Sequence, residues 1–411
     1  MKKTILLAGI MFFSAQLSLS QPILYGLTEF GGNSAGSIAR YDVGSNTLSS
    51  AFSFPNDGST PALQSSPVQV SNGTVYGLTR RGGKFNSGTI YAINEDGSGF
   101  RKIHDFDFPQ GADPRGSMVL ASNSSLYGMT LTGGSNGQGT IYRFDPLTET
   151  VTKLHDFVDE PGNREGQRPF GALIERSGRL FGMLSSGGEN NIGSLFSIAL
   201  DGSGFTKHHD FTNVAGQLDG ANPYGTLFLA SDNLMYGMTN TGGTFNRGII
   251  FSFDPVNFTF TKRFDLGAPA PVNGGANPFG TFIQDPATGQ LLGLASAGGA
   301  SNVGVVFSFN PLTNAYANLH SFRNVSPFFD GRLPSGTLVQ TSSGTLIGLA
   351  ALGGINRGTI FRLQPDGSGF TVMRQLSQAD GQAPYGSPLL LRSGLLMATP
   401  TQVGDGQNGT I

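Results

Sequence analysis

Seven times the chain places an apolar residue on each side of a glycine and, five positions after that glycine, writes a Gly-Gly pair. The copies read LYGLTEFGG from Leu24, VYGLTRRGG from Val75, LYGMTLTGG from Leu126, LFGMLSSGG from Leu180, MYGMTNTGG from Met235, LLGLASAGG from Leu291 and LIGLAALGG from Leu346. Their first glycines are 51, 51, 54, 55, 56 and 55 residues apart. A nearly constant period of this length is the mark of a repeat architecture, in which each unit buries its apolar faces against its neighbours. It constrains the fold strongly and the chemistry weakly.

The second copy shows the unit most clearly. Pro67 to Val70 form a short β pattern, and Ser71-Asn72-Gly73 reads as a turn. Thr74 to Thr79 are rich in β-branched and aromatic residues and form a second strand. The glycine inside that strand, Gly77, removes a side chain where a ring or a backbone must come close. A loop through Gly82-Gly83 reaches a third strand, Thr89 to Ile93, and the turn Asp96-Gly97-Ser98-Gly99 leads into a fourth, Phe100 to Phe106. The DGSG turn returns at Asp201 and Asp366, while Asp-Pro or Asn-Pro turns stand at Asp145, Asp254 and Asn310.

Four short antiparallel strands per period, with no helical periodicity, predict an all-β fold, a β-propeller built of four-stranded blades. Adjacent apolar residues such as Ile90 and Tyr91 fit blades packed on both faces. Counting Leu395 to Thr399 as an eighth second strand favours eight blades. The alternative is seven, with residues 387–392 closing the ring on the first unit; the strand at 395–399 then has no place. The chain stops at Gly409-Thr410-Ile411, inside a repeat, so the last blade reads as incomplete and the C-terminus as truncated.

Lys2 and Lys3, an apolar run from Ile5 to Phe13, and Ser18 and Ser20 form a secretory signal, residues 1–20, leaving 21–411 as a single propeller domain that is secreted or displayed at the cell surface. No stretch of the sequence is long and apolar enough for a transmembrane helix. The absence of cysteine excludes thiolate metal sites and disulfides. A formal charge of −2 without a basic stripe argues against nucleic acid as a partner.

The order [LV]-[YF]-G-[LMT]-T-x-x-G-G-x4-G-[TS]-[IVL]-[FY], then D-G-S-G-F, then H-D-F, resembles the GloVer tandem repeat and covers the chain from Leu24 to Ile411. The resemblance implies an exported bacterial protein, often tethered by a C-terminal sorting signal, here in a segment beyond Ile411. It implies no established activity. Met397 in place of the usual glycine departs from the pattern. Kelch blades also carry a Gly-Gly pair, but their downstream tryptophan has no counterpart in a chain with no Trp.

No nucleophile–base, phosphate-loop or metal motif is present, so no catalytic residue, metal or cofactor is expected. His104, His155, His209 and His320 share one repeat position and read as blade-building residues. Functional variation belongs on the face where the second-to-third-strand loops and the long interblade loops emerge together. Charges on that face that break the repeat are Glu29, Arg80, Arg81, Arg115, Arg168 and Glu189, and these are the candidate ligand-binding residues, set against the plainer reading of ordinary solvated loop charges. The expected function is non-catalytic binding of a glycan, peptide or protein. The alternative is a polysaccharide hydrolase or lyase with Glu29, Glu160, Glu165 and Glu189 as acid and base, which requires two carboxylates to converge.

Overall fold

The computed structural model describes residues 65–94, 98–214, 217–269, 274–325, 328–353, 357–376 and 384–388, and the backbone of strands at 23–28, 37–42, 47–53, 60–61, 389–390 and 396–397. The signal segment 1–20, Glu29 and the final run 398–411 lie outside the described residues. Every regular element among the described residues is a β-strand, and none of them forms a helix long and apolar enough to cross a membrane.

Six antiparallel four-stranded sheets follow one another. The inner strands of blades I to VI are Val68–Gln69, Val119–Leu120, Ile174–Arg176, Phe228–Leu229, Ile283–Gln284 and Arg332–Gln340. In blade II the second, third and fourth strands are Leu126–Thr130, Thr140–Asp145 and Thr150–Asp156, paired in chain order. The other blades repeat this order, and blade I also pairs Thr60–Pro61 with its second strand. The architecture is a β-propeller.

The repeated glycine of the second strand faces a ring on the third. Gly77 is in register with Tyr91, Gly128 with Tyr142 and Gly182 with Phe196, and a Cβ at any of them would fall inside that ring. Each third strand then meets the fourth across a β-bulge, as between Ile90 and Tyr91 or Leu195 and Phe196. The bulge adds one residue to the outer strand and increases its twist.

The core lies between blades. One cluster joins Tyr76, Leu78 and Phe106 of blade I to Leu126, Tyr142 and Phe144 of blade II, and comparable clusters fill the next four junctions. This is why both Ile90 and Tyr91 are buried, although they point to opposite faces of one strand. Each buried large side chain contributes about 1.5–3 kcal/mol of burial free energy, so a blade is stabilised mainly by its neighbours.

At the start of the inner strands, glycine meets glycine. A Cβ on Gly116 would overlap the carbonyl of Gly171, and the same holds for Gly171 on Gly225, Gly225 on Gly280, Gly280 on Gly336 and Gly336 on Gly386. Hydrogen bonds run along the same circle. Ser66 N–H donates to Ser117 Oγ at 2.7 Å, Ala172 N–H to Thr226 Oγ1 at 2.8 Å and Thr337 N–H to Ser387 Oγ at 2.9 Å. Ser66 Oγ donates to the carbonyl of Ser387 at 3.0 Å, across 321 residues of chain.

Strands Ile23–Thr28, Ser37–Asp42 and Thr47–Ser53 share a sheet with Leu389–Leu390 and Leu396–Met397. Leu24 pairs with Leu396 and Tyr25 with Met397 in parallel. The segment that had no expected place in a seven-bladed ring thus lies between Ile23–Thr28 and Leu389–Leu390, and the expected direct pairing of residues 387–392 with the first unit is not formed.

Candidate functional site

The interblade loops and the loops after the second strands do emerge on one face, but they are not free. Ala112 bridges Thr132, Gln167 bridges Ser186, Ala221 bridges Thr241 and Ala276 pairs with Ala297. The next residue is held between adjacent blades. Asp113 N–H donates to Ser87 O at 3.0 Å and Asp113 O accepts from Leu131 N–H at 3.1 Å; Asn222 does the same with Ile192 O and Asn240 N–H. Asp113, Arg168, Asn222, Asn277 and Leu333 all hold φ between 53° and 58°, each directly before a proline. Left-handed backbone outside glycine costs about 1–2 kcal/mol, so the corner is imposed by the packing of two blades around it.

The corner leads into a tetrad that reading the sequence one repeat at a time does not expose: Pro-x-Gly-x at 114–117, 169–172, 223–226, 278–281, 334–337 and 384–387. Its glycine is the hub contact, and the residue before it stands at the axial mouth. Those residues are Arg115, Phe170, Tyr224, Phe279 and Tyr385, while the sixth, Ser335, is buried against the carbonyls of Pro384 and Tyr385. The Arg115 guanidinium carbon lies 5.1 Å over the Phe170 ring. Phe170 meets Tyr224 edge-on at 4.9 Å, and Tyr224 stacks on Phe279 at 5.4 Å and 13°. Phe279 remains 36% exposed, and Phe170, Tyr224 and Tyr385 are partly exposed. An arc of rings ending in a guanidinium therefore lines the mouth.

The sequence candidates divide between this mouth and the outside of the ring. Arg115 is there, held by two hydrogen bonds from Nε and Nη2 to the Asp113 carboxylate at 3.2 and 2.9 Å. Arg80 approaches the same carboxylate at 3.5 Å with its side chain only 13% exposed. Arg81 and Arg168 are exposed and have no ion-pair partner among the described residues. Glu189 belongs elsewhere: its backbone N–H donates to Asp210 at 3.0 Å and its carboxylate lies 3.5 Å from Lys207, both on the outermost strand of blade III. The charged candidates therefore do not form one group. The position that Arg80 occupies is structural in blades III to V, where Ser185, Asn240 and Ser296 donate to the carbonyls of Arg168, Pro278 and Asn277.

The recurring histidines sit in an outer girdle. His104 meets Gln110 at 3.0 Å, His155 meets Glu165 at 2.8 Å, His209 meets Asp219 at 3.0 Å and His320 meets Asp330 at 3.0 Å. Three of them lie flat on a ring of the next blade: His155 on Phe205 at 4.4 Å, His209 on Phe260 at 3.8 Å and His320 on Phe370 at 3.5 Å. Burial lowers the His104 pKa. His208, outside the pattern, is depressed to about 4 by burial and by the nearby Arg179 charge. The HDF aspartates close a second repeated clamp. Burial opposes the charge of Asp156, yet Lys153 and Ser135 hold its carboxyl below the ordinary range.

Residues 14–219 and 213–411 each match the Gloeobacter/Verrucomicrobia repeat, and the chain belongs to that family. No curated protein matches the sequence. Among solved structures the fold is similar to the periplasmic gluconolactonase PpgL of Pseudomonas aeruginosa, at TM-score 0.55 and 12% identity over 86% of this chain and 94% of that one. It is also similar to an oligogalacturonate lyase determined with manganese, at TM-score 0.53 and 11% identity over 84% and 86% of the two chains. At such identity the likeness is one of fold.

Proposed function

We propose that this protein is an exported, seven-bladed propeller that acts at the cell surface or outside the cell as a non-catalytic binding module, its ligand held at the axial mouth of the loop-rich face. One observation carries the reading. The Pro-x-Gly-x corners at 114–117, 169–172, 223–226 and 278–281 repeat one backbone and vary the residue that reaches solvent, giving Arg115, Phe170, Tyr224 and Phe279. A repeated scaffold that presents unlike side chains to one opening suits recognition.

Seven blades are supported by the hub, where Ser66 bonds Ser117 on one side and Ser387 on the other, so the circle of contacts returns to its start. The strands at 389–390 and 396–397 then complete the sheet of Ile23–Thr28, with 396–397 against it, and residues 21–411 form one domain after cleavage at Ser20. The enzymatic alternative is less favoured because two of its four carboxylates are engaged. Glu165 accepts from Val158 N–H at 3.1 Å besides meeting His155, and Glu189 meets Lys207.

Two measurements test the proposal. N-terminal sequencing of the exported protein should begin at Gln21. The purified protein should bind members of a glycan or peptide array and lose them on Tyr224→Ala. An empty array, or turnover of a polysaccharide, overturns the binding reading.

A further inference from the structure

We infer that the axial mouth takes an acidic saccharide chain, a uronate-type ligand whose sugar rings pack on the arc of Phe170, Tyr224 and Phe279 while its carboxylates meet Arg115 and Arg168. The inference rests on the binding reading above and names the ligand class for that site.

Two independent features converge. The first is shape and surface. Partly exposed rings stacked along an arc offer flat apolar area of the kind that the C–H faces of a pyranose cover. The arc lies at the inner-strand starts, inside the circle of interblade hairpins such as Asp159–Glu160 with Asn163–Arg164 and Asn213–Val214 with Gln217–Leu218. A thin chain reaches such a place more readily than a flat protein surface does.

The second is charge. At the corners themselves the charged side chains are Arg115, Arg168 and one carboxylate, Asp113. Among the other described acids of this face, Asp107 and Asp159 accept N–H groups, Glu160 is exposed on its hairpin, and most of the rest are paired. Asp105, Asp156, Asp210 and Asp265 pair with lysines three residues earlier, and Glu165, Asp219 and Asp330 pair with histidines. The corners therefore carry a net cationic charge. Asp113 takes Nε and one Nη2 hydrogen of Arg115, which leaves the Nη1 hydrogens for a ligand carboxylate, and the Phe170 ring keeps the guanidinium plane in place.

The test is calorimetric titration of the purified protein at low salt with three probes. Hexamannuronate and mannohexaose share one sugar backbone and differ in the carboxylates; hexaglutamate carries the carboxylates without the sugar. Hexamannuronate should bind at least about tenfold more tightly than mannohexaose, and Arg115→Gln should remove about tenfold, the worth of a charged hydrogen bond. Phe279→Ala should weaken binding by a similar factor, and Arg168→Gln, an exposed change that leaves the fold alone, by about threefold. Leu147→Ser, at a tight turn on the opposite face, should change nothing. Equal binding of the two saccharides, preference for hexaglutamate, or affinity unmoved by all three mouth variants overturns the inference. If mannohexaose or hexaglutamate is bound and lost on Phe279→Ala, the acidic-saccharide assignment fails while the binding face stands. If none of the three binds and the array is empty, both fail.

Discussion

The hub and the girdle are built from the same repeats and use them in opposite ways. In the girdle the side chain recurs with its partner: a histidine, an acceptor from the following loop, and an aromatic face from the next blade. At the hub the backbone recurs and the side chain beside it changes, from Arg115 through Phe170 and Tyr224 to Phe279. Repeated side chains join blades; side chains that vary on a repeated backbone are free to meet something else. Chemistry alone would have ranked the histidines first. Position ranks the mouth first.

The contrast can be broken most forcefully at the hub. Gly225→Ala places a Cβ against the Gly280 carbonyl, which is backbone and cannot rotate away. Overpacking of this kind should cost about 3 kcal/mol, read as a lower urea midpoint, whereas Gly178→Ala, with open space around it and a φ of 75°, should cost about 1 kcal/mol. Equal losses would mean that the hub contact is not what holds the blades together. At the girdle, His209→Ala removes a ring stacked at 3.8 Å and an Asp219 contact, and should cost about 2 kcal/mol of stability with saccharide affinity unchanged. A drop in affinity at constant stability would erase the division between the two regions.

The smallest expected effect sharpens the comparison through pH. His208 is not a girdle histidine; it hydrogen-bonds Ser197 Oγ at 2.8 Å and stacks on Phe258 at 4.6 Å. Its folded pKa of about 4 lies below the ordinary value of 6.5, so the unfolded chain takes up the proton first. Its contribution is complete above pH 6.5 and is lost as pH falls toward 4. Denaturation midpoints of the wild type and His208→Phe should therefore converge between those limits. A constant gap would show that His208 does not titrate across that range.

Much of the blade was legible. The Gly77 position requires a ring across from it, and Tyr91 supplies one; the turn at Asp201 forms with Ser203 N–H on its carboxylate at 2.9 Å. The mouth was legible only in part. Arg115 stood out as a charge, but Phe170, Tyr224 and Phe279 did not, since an aromatic residue in an aromatic-rich repeat carries no signal by type. Their signal is the Pro-x-Gly-x spacing, and its meaning is a contact between successive copies, which aligning one repeat on another cannot reveal. Glu189 is the converse case: it is an unusual residue at a position whose backbone belongs to the Asp210 clamp.

The bond between Ser66 and Ser387 also has a kinetic side. Contacts between neighbouring blades close loops of about one repeat, so most of the molecule can assemble as fast as its local hairpins meet. The last junction must wait for a loop of 321 residues, which adds about 1.5 kcal/mol of closure entropy over a single-repeat loop. Nucleation among the middle blades and a slow final latch follow from that asymmetry. A protease added during refolding should find its targets at the latch long after the middle of the chain has become resistant.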